Sequence, residues 1–389
     1  MTRVLVVDDD AEQRLRIKHV LAKQGYEVVE ADNGAEALAV LESQEVQIVI
    51  TDWEMPRLDG LQLCRAIRAA EFSGRIYILF LTSHGEKSKI VEGIDAGADD
   101  YLTKPAHPSE LSVRVRNGER TLKARADLEA VNTRLREDLE AAAKIQQALL
   151  PRALPNSDRV HFAWAFRPCA MLAGDHLNIF PLGDRHVGMY LLDVSGHGVP
   201  AALLAVTVSR FLSPTGDVSF LRIPPREGRP GRFARPSEVI ARLNHQFANE
   251  RTSQFMTLFY GILDLDTLEI RYAIGGHPGP IITSPSQPSR MLEGRSFPVG
   301  MLESAQFDDA VTTLQPGERF WLYSDGLSEA MNPEGELFGF NRLSAELHAL
   351  SATPLDASLD SLWQRVKLWT GGESPQDDVS VVALEIGGS

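Results

Sequence analysis

Over the first 120 residues, short apolar runs alternate with amphipathic stretches. Val4–Val7, Glu27–Ala31, Ile48–Thr51, Ile76–Leu81 and a short run near Tyr101 predict strands. Between them, apolar positions at helical spacing predict helices around Arg14–Lys23, Ala35–Glu42, Leu61–Ala70 and Lys89–Ala96. Alternation of this kind implies an α/β, doubly wound parallel sheet with helices on both faces. From Ser109 the pattern becomes helical and stays so to Leu150, with no Gly or Pro after Gly118. Leu128, Leu135, Ala142 and Leu149 recur every seven residues, Val131 and Ile145 take the complementary position, and Asp138 interrupts it. Residues 121–150 therefore predict a helical coiled-coil linker, closed by Pro151 and compatible with a parallel dimer. One amphipathic helix packed on its own domain is the alternative. Beyond 151, strands cluster: His161–Phe166, Val187–Leu192, Met256–Leu263, Leu268–Ala273, Arg319–Tyr323 and Val379–Leu384. Helical patterns follow at Ala201–Leu212, Ser237–Glu250, Arg342–Leu350 and Leu355–Trp369. This is an α+β arrangement with antiparallel sheet. Ser213–Pro236, rich in Pro, Gly and Arg, reads as a long loop or flap beside a site. The expected domains are 1–120, the linker 121–150, and 151–389.

Charge narrows the partners. Lys+Arg number 39 against 53 Asp+Glu, a net charge of −14 over 389 residues, which argues against nucleic acid or an anionic membrane. Cys64 and Cys169 stand in unrelated contexts, without disulfide framework or zinc spacing, and fit a reducing interior. The N-terminal apolar run abuts acids, unlike a signal peptide, and no stretch approaches ~18 consecutive apolar residues. A soluble, cytoplasmic protein is the expectation.

In a doubly wound sheet, ligands bind beyond the carboxyl ends of the strands. Asp8 and Asp9 end the first strand, Asp52 the third and Thr82 the fourth, while Lys104 follows the fifth. Three carboxylates on one rim repel unless a cation joins them, and a hard ion such as Mg²⁺ suits oxygen ligands. Lys104 offers a charge to one phosphoryl oxygen and Thr82 a hydroxyl to another. These residues, with Val6-Val7-Asp8-Asp9-Asp10, Asp52-x-x-Met55-Pro56-x-x-Asp59-Gly60, Leu81-Thr82-Ser83 and Lys104-Pro105, resemble the response-regulator receiver family, which is flavodoxin-like in fold. The resemblance implies Asp52 as phosphoacceptor, with Asp8, Asp9, Asp52 and the Glu54 backbone carbonyl at the Mg²⁺. It also implies Thr82 and Tyr101 as switch residues and a sensor histidine kinase or phosphotransfer protein as phosphodonor.

Past the linker, acids recur at strand ends or in Gly turns: Ala173-Gly174-Asp175, Asp193-Val194-Ser195-Gly196-His197-Gly198, Tyr323-Ser324-Asp325-Gly326 and Asp377-Asp378-Val379-Ser380. An all-oxygen set without His or Cys ligands suits Mg²⁺ or Mn²⁺, and two such ions can activate a water for attack on phosphorus. In this order, and with Ile145-Gln146-x-x-Leu149-Leu150-Pro151 and Gly275-Gly276-His277-Pro278, the elements resemble the PPM (type-2C) serine/threonine phosphatases, in their SpoIIE-like bacterial branch. The resemblance implies a β-sandwich flanked by helices and two Mn²⁺ or Mg²⁺. Asp193 would bridge the ions, the Val194 carbonyl would join one, and Asp325 and Asp377 the other. Asp175, through water, and Asp378 would lie near the metal shell. The branch carries a second Asp three residues after its Gly-Gly-Asp, whereas this chain has Asn178, which implies weaker binding of one metal. His197 has the chemistry of a general acid, but its Gly-flanked turn reads first as a loop-shaping element, and His277 reads as structural.

The reading that follows is a two-component response regulator with phosphatase output, controlled at Asp52. Family resemblance points to a phosphoserine or phosphothreonine protein as substrate, an anti-sigma-factor antagonist, and the linker to a homodimer. The alternative is a phospho-regulated adaptor with a weak or inactive phosphatase-like domain, which rests on Asn178. A nucleotide cyclase read from Gly174-Asp175 fails for want of the following acids. The chain's last acidic motif lies close to Ser389, leaving phosphatase as the enzymatic output the sequence shows.

Overall fold

Alternate residues of the N-terminal strands feed two different cores, which is why those strands read as unbroken apolar runs. In a computed structural model of the chain, residues 2–70, 76–83, 87–225, 231–248, 254–294, 296–373 and 376–387 are described, the side chains of 87–90 excepted. They form two compact units, Met1–Arg136 and Glu137–Ser389. The first contains β1 (Arg3–Val7), α1 (Ala11–Ala22), β2 (Glu27–Ala31), α2 (Gly34–Ser43), β3 (Ile48–Asp52), α3 (Gly60–Ala69), β4 (Tyr77–Thr82), α4 (Lys87–Asp95), β5 (Asp100–Thr103) and most of α5 (Pro108–Gln147). Its sheet is parallel, in the order β2-β1-β3-β4-β5. On β1, Leu5 and Val7 join the core under α2 and α3, while Val4 and Val6 join the core with Ile17, Leu111 and Val115 on the other face. The strands β1, β3 and β4 thus deliver Asp8, Asp52 and Thr82 to one edge.

The second unit contains β6 (Val160–Arg167), β7 (His176–Leu182), β8 (His186–Val194), α6 (Val199–Phe211), β9 (Arg222–Ile223), β10 (Arg232–Phe233), α7 (Pro236–Ala248), β11 (Met256–Asp264), β12 (Glu269–Gly275), β13 (Ile281–Thr283), β14 (Arg290–Met291), β15 (Ala310–Thr313), β16 (Arg319–Tyr323), α8 (Asp325–Ser328), α9 (Gly339–Ala349), α10 (Leu355–Trp369) and β17 (Val379–Ile386). Two antiparallel sheets, β15-β12-β11-β8-β7 and β14-β13-β16-β17-β6, face each other across a shared core. Along β8, Val187, Met189 and Leu191 enter that core, and Tyr190 and Leu192 pack outward under α6 and α7. The other sheet packs outward against α9 and α10. Among the described residues, no helix is long and apolar enough to cross a membrane.

Several elements depart from the sequence reading. Asp10 caps α1, accepting from the Glu12 and Gln13 amides, so that helix starts three residues before Arg14. β7 was not anticipated: Pro181 and Asn178 interrupt its apolar positions. Its place at a sheet edge explains why the missing proline N–H is tolerated. The helix expected to end at Pro151 stops at Gln147, and a turn leads to buried Leu150. The Glu250 end of the expected Ser237–Glu250 helix lies outside the described residues. So does 226–230 of the expected flap, and the rest of that flap carries a small hairpin, β9–β10. Phe233 lies against Gly183 in the β7–β8 turn, at the end of β8 opposite Asp193, so this part does not border the acidic site. Within α5, Leu128, Val131, Leu135 and Ile145 are 61, 63, 54 and 67% exposed.

Trp321 is the largest fully buried side chain, and its Nε1 donates to Thr283 Oγ1 at 3.0 Å. Trp321→Ala is expected to cost about 3–5 kcal/mol, from lost burial and the cavity left behind. Denaturant unfolding monitored on the second unit would show it as a lower midpoint.

Candidate metal and phosphoryl sites

At the rim of the parallel sheet, carboxylate oxygens of Asp8, Asp9 and Asp52 lie within 4.8 Å of one another. Lys104 Nζ reaches Asp8 Oδ2 at 2.8 Å and Asp52 Oδ2 at 2.9 Å. One ammonium against three carboxylates leaves an excess of negative charge, so the donors fit a hard divalent cation. The Trp53 amide donates to Asp52 Oδ1 at 2.7 Å. Burial pushes the Asp52 carboxyl upward, against the pull of Lys104. Thr82 is buried at the end of β4, Tyr101 is half-buried against the core beneath α4, and Glu54 is exposed two residues beyond Asp52. Gly60 explains the Asp59-Gly60 signal: a Cβ there would stand 2.0 Å from the Asp52 carbonyl oxygen.

The second site collects acids from both sheets of the sandwich. Asp193 ends β8, Asp175 precedes β7 opposite it, Asp325 follows β16, and Asp377 and Asp378 precede β17. Burial and then Asp325 and Asp377 push Asp193 up to about 7. Burial, Glu329 and Asp377 push Asp325 up to about 6. Asp175 is raised well above the carboxylate range, by burial first and Asp193 second. Its Oδ2 is buried and makes no close hydrogen bond, the Ser380 and Ser324 hydroxyls lying in weaker contact with the carboxylate. Such a carboxylate oxygen amid mutually repelling oxygen donors fits one or more hard divalent ions.

Backbone clamps hold the Asp175 loop. Asp378 accepts from the amides of Cys169 (2.8 Å), Gly174 (2.7 Å) and Asp175 (3.4 Å), so its carboxylate is spent on positioning. Gln146, buried in the last turn of α5, donates to the Ala173 carbonyl at 2.7 Å and accepts from the Ala173 amide at 3.1 Å. Gly326 lets α8 approach β17, since a Cβ there would lie 2.2 Å from the Asp378 carbonyl oxygen.

Other residues fall elsewhere than the sequence suggested. Alternation along β7 puts Asn178 on the helix-covered face with Phe180 and Leu182, whereas Asp193 shares the inner face with Leu191. Asn178 Oδ1 accepts from the Ile179 amide, and the residue pairs across the sheet with Tyr190. It does not face Asp193, so its lost charge falls outside the carboxylate cluster. His197 is exposed between Gly196 and Gly198, both at positive φ. Glu329 was missed: it lies four residues after Asp325 at the end of α8, and helical spacing was the signal that could have found it. Cys169 was missed too. Its sulfur stands within 4.8 Å of Asp377 and Asp378 oxygens, and burial and those acids push the thiol up to about 12.

Two family models match separate parts of the chain. The family model described as response regulator receiver domain matches residues 4–116, and that described as stage II sporulation protein E (SpoIIE) matches 183–387. The phosphate regulon transcriptional regulatory protein PhoB of Pseudomonas aeruginosa is 38% identical over 113 residues, 29% of this chain and 49% of that protein. The response regulator MprA of Mycobacterium avium is 43% identical over 129 residues, 33% and 56% of the two chains. The chain thus spans about half the length of the curated relatives it matches. The SiaA-PP2C domain of Pseudomonas aeruginosa superposes with a TM-score of 0.54 at 18% identity, covering 66% of this chain and 99% of that one, a likeness of fold. Because the SpoIIE match takes in more than half of its residues, the chain belongs to the SpoIIE family, with a receiver domain preceding the PPM-type domain.

Proposed function

We propose that this chain is a response regulator whose receiver domain controls a metal-dependent serine/threonine protein phosphatase. The observation that carries the reading is the meeting of Asp175, Asp193 and Asp325 from two sheets, with a buried Asp175 oxygen among them that makes no close hydrogen bond. Divalent ions, Mg²⁺ or Mn²⁺, would supply an activated water and charge neutralisation there. Asp193, the Val194 carbonyl, Asp325 and Asp377 would hold them, with Asp175 bound through water. Asp378 and Gln146 fix the loop that presents Asp175. At the receiver, Asp52 would take the phosphoryl group, Lys104 and Thr82 would contact its oxygens, and Asp8, Asp9 and the Glu54 carbonyl would complete a Mg²⁺ site. The adaptor reading loses its support, since Asn178 lies on the far face of β7.

The family supports a phosphoserine protein as substrate, of the anti-sigma-factor antagonist class, and the receiver supports a histidine kinase or phosphotransfer protein as donor. The exposed Leu128, Val131 and Leu135 support a parallel homodimer through α5. In that arrangement, phosphorylation at Asp52 changes dimer geometry and thereby the seating of Ala141–Leu150 beside the Asp175 loop, raising activity.

Asp193→Asn is expected to abolish Mn²⁺-dependent phosphate release from a phosphoserine protein, at least ~100-fold, while preserving the fold by circular dichroism. Unchanged turnover would overturn the assignment, and the same variant, used as bait, should retain a small phosphoserine protein identifiable by mass spectrometry. Beryllofluoride should shift dimerisation and phosphatase rate together, and Asp52→Asn should remove both responses. A rate change in a chain that stays monomeric by sedimentation would refute the coiled-coil step.

The raised carboxyls set a pH dependence. An acid whose pKa is higher folded than unfolded binds more protons when folded, so its stabilising effect is complete below the ordinary value of ~4 and is lost as pH rises through the folded value. With Asp193 near 7 and Asp325 near 6, the metal-free second unit should melt at lower temperature as pH rises from about 5 to about 8. Saturating Mn²⁺ should abolish or reverse that fall, as read by calorimetry.

A further inference from the structure

His277 is a buried imidazole that the proposed chemistry leaves without a task. It is 5% exposed, in the turn after β12. Gly276 has a φ of 69° and backs onto Pro298, where a Cβ would come within 2.7 Å, so the turn has little room to shift. The ring's Nδ1 lies 2.7 Å from Thr257 Oγ1. Its Nε2 is buried and makes no close hydrogen bond, with a weaker contact to the Tyr323 backbone of the opposite sheet beside the ring. Burial holds the ring neutral, pushed down to about 3. An apolar side chain would fill the same space, so what distinguishes the imidazole is its polar contacts, of which the bond to Thr257 is the short one.

Thr257 is the cross-strand partner of Asp193 in the β11–β8 pairing. Directly opposed residues point to the same face, with Cβ atoms ~5 Å apart, so a threonine hydroxyl there can turn toward the carboxylate. We propose that His277 is a positioning residue which keeps the Thr257 hydroxyl off Asp193. In the tautomer with hydrogen on Nε2, Nδ1 accepts the Thr257 O–H. The hydroxyl then has no hydrogen left to donate to Asp193, whose oxygens stay available to a cation. Without that acceptor, Thr257 turns to Asp193 and competes with the ion for the same lone pairs.

The inference rests on the metal-dependent reading of the site, and the test separates the two. Mn²⁺ titration by calorimetry on the full chain bearing Asp52→Asn, Asp8→Asn and Asp9→Asn, which silence the receiver site, reads the second site alone. No Mn²⁺ binding by that protein would sink the phosphatase reading itself. In that background His277→Leu should weaken Mn²⁺ at least ~10-fold, Thr257→Val alone should change it less than ~3-fold, and the double variant should return to within ~3-fold of the parent. His277→Gln, whose Oε1 can accept the same hydrogen, should keep most of the affinity. A His277→Leu variant with unaltered affinity, or a defect that Thr257→Val fails to rescue, would overturn the proposal. Should His277→Leu not fold, nitrogen-15 spectra of selectively labelled histidines decide. Hydrogen on Nε2, with an Nδ1 signal that moves on Thr257→Val, is expected, and hydrogen on Nδ1 would refute the idea.

Discussion

Like charges gathered out of water are the constraint around which this chain is built. Each unit brings carboxylates to the end of its sheet, and each answers the resulting repulsion differently. At the parallel rim, Lys104 is shared between Asp8 and Asp52. In the sandwich, burial and neighbouring acids are the leading influences on Asp193 and Asp325, and both remain high. The first site thus carries a resident counter-charge. The second is held by its framework, with two-sheet packing beneath it and Asp378 and Gln146 gripping the loop above it.

Much of this was legible because strands that read as apolar runs stop where their cores stop, and the next residues stand at the rim. Asp8, Asp52, Asp193 and Asp325 all sit at such stops, so marking strand ends was enough to group them. What was not legible depended on which face a residue takes or on a long-range backbone contact. Asn178 looked like an altered ligand, and only the pairing of β7 with β8 shows that it points the other way. β7 itself was hidden by Pro181, whose tolerance depends on being at an edge. Asp378 read as another acid beside a metal, yet its oxygens are occupied by amides some two hundred residues away in sequence. Glu329 could have been found from its helical spacing to Asp325. The Thr257–His277 contact had no local signature at all.

Close backbone approach also explains why two weak-looking motifs matter. Gly326 and Gly60 are not flexible joints here, since both stand where a neighbouring carbonyl leaves no room for a side chain. Each lets a helix begin directly against the strand that carries a reactive acid, which shortens the path between the cation-binding groups and the helix that follows.

Helix α5 ends in a two-point grip. Gln146 donates from Nε2 to the Ala173 carbonyl and accepts the Ala173 amide hydrogen on Oε1, and two bonds to one residue resist rotation where a single bond would act as a pivot. One residue along a helix is ~100° around its axis, so Gln146 meets Ala173 at one phase of that last turn, and the loop before Asp175 registers the rotation of the helix end instead of its length.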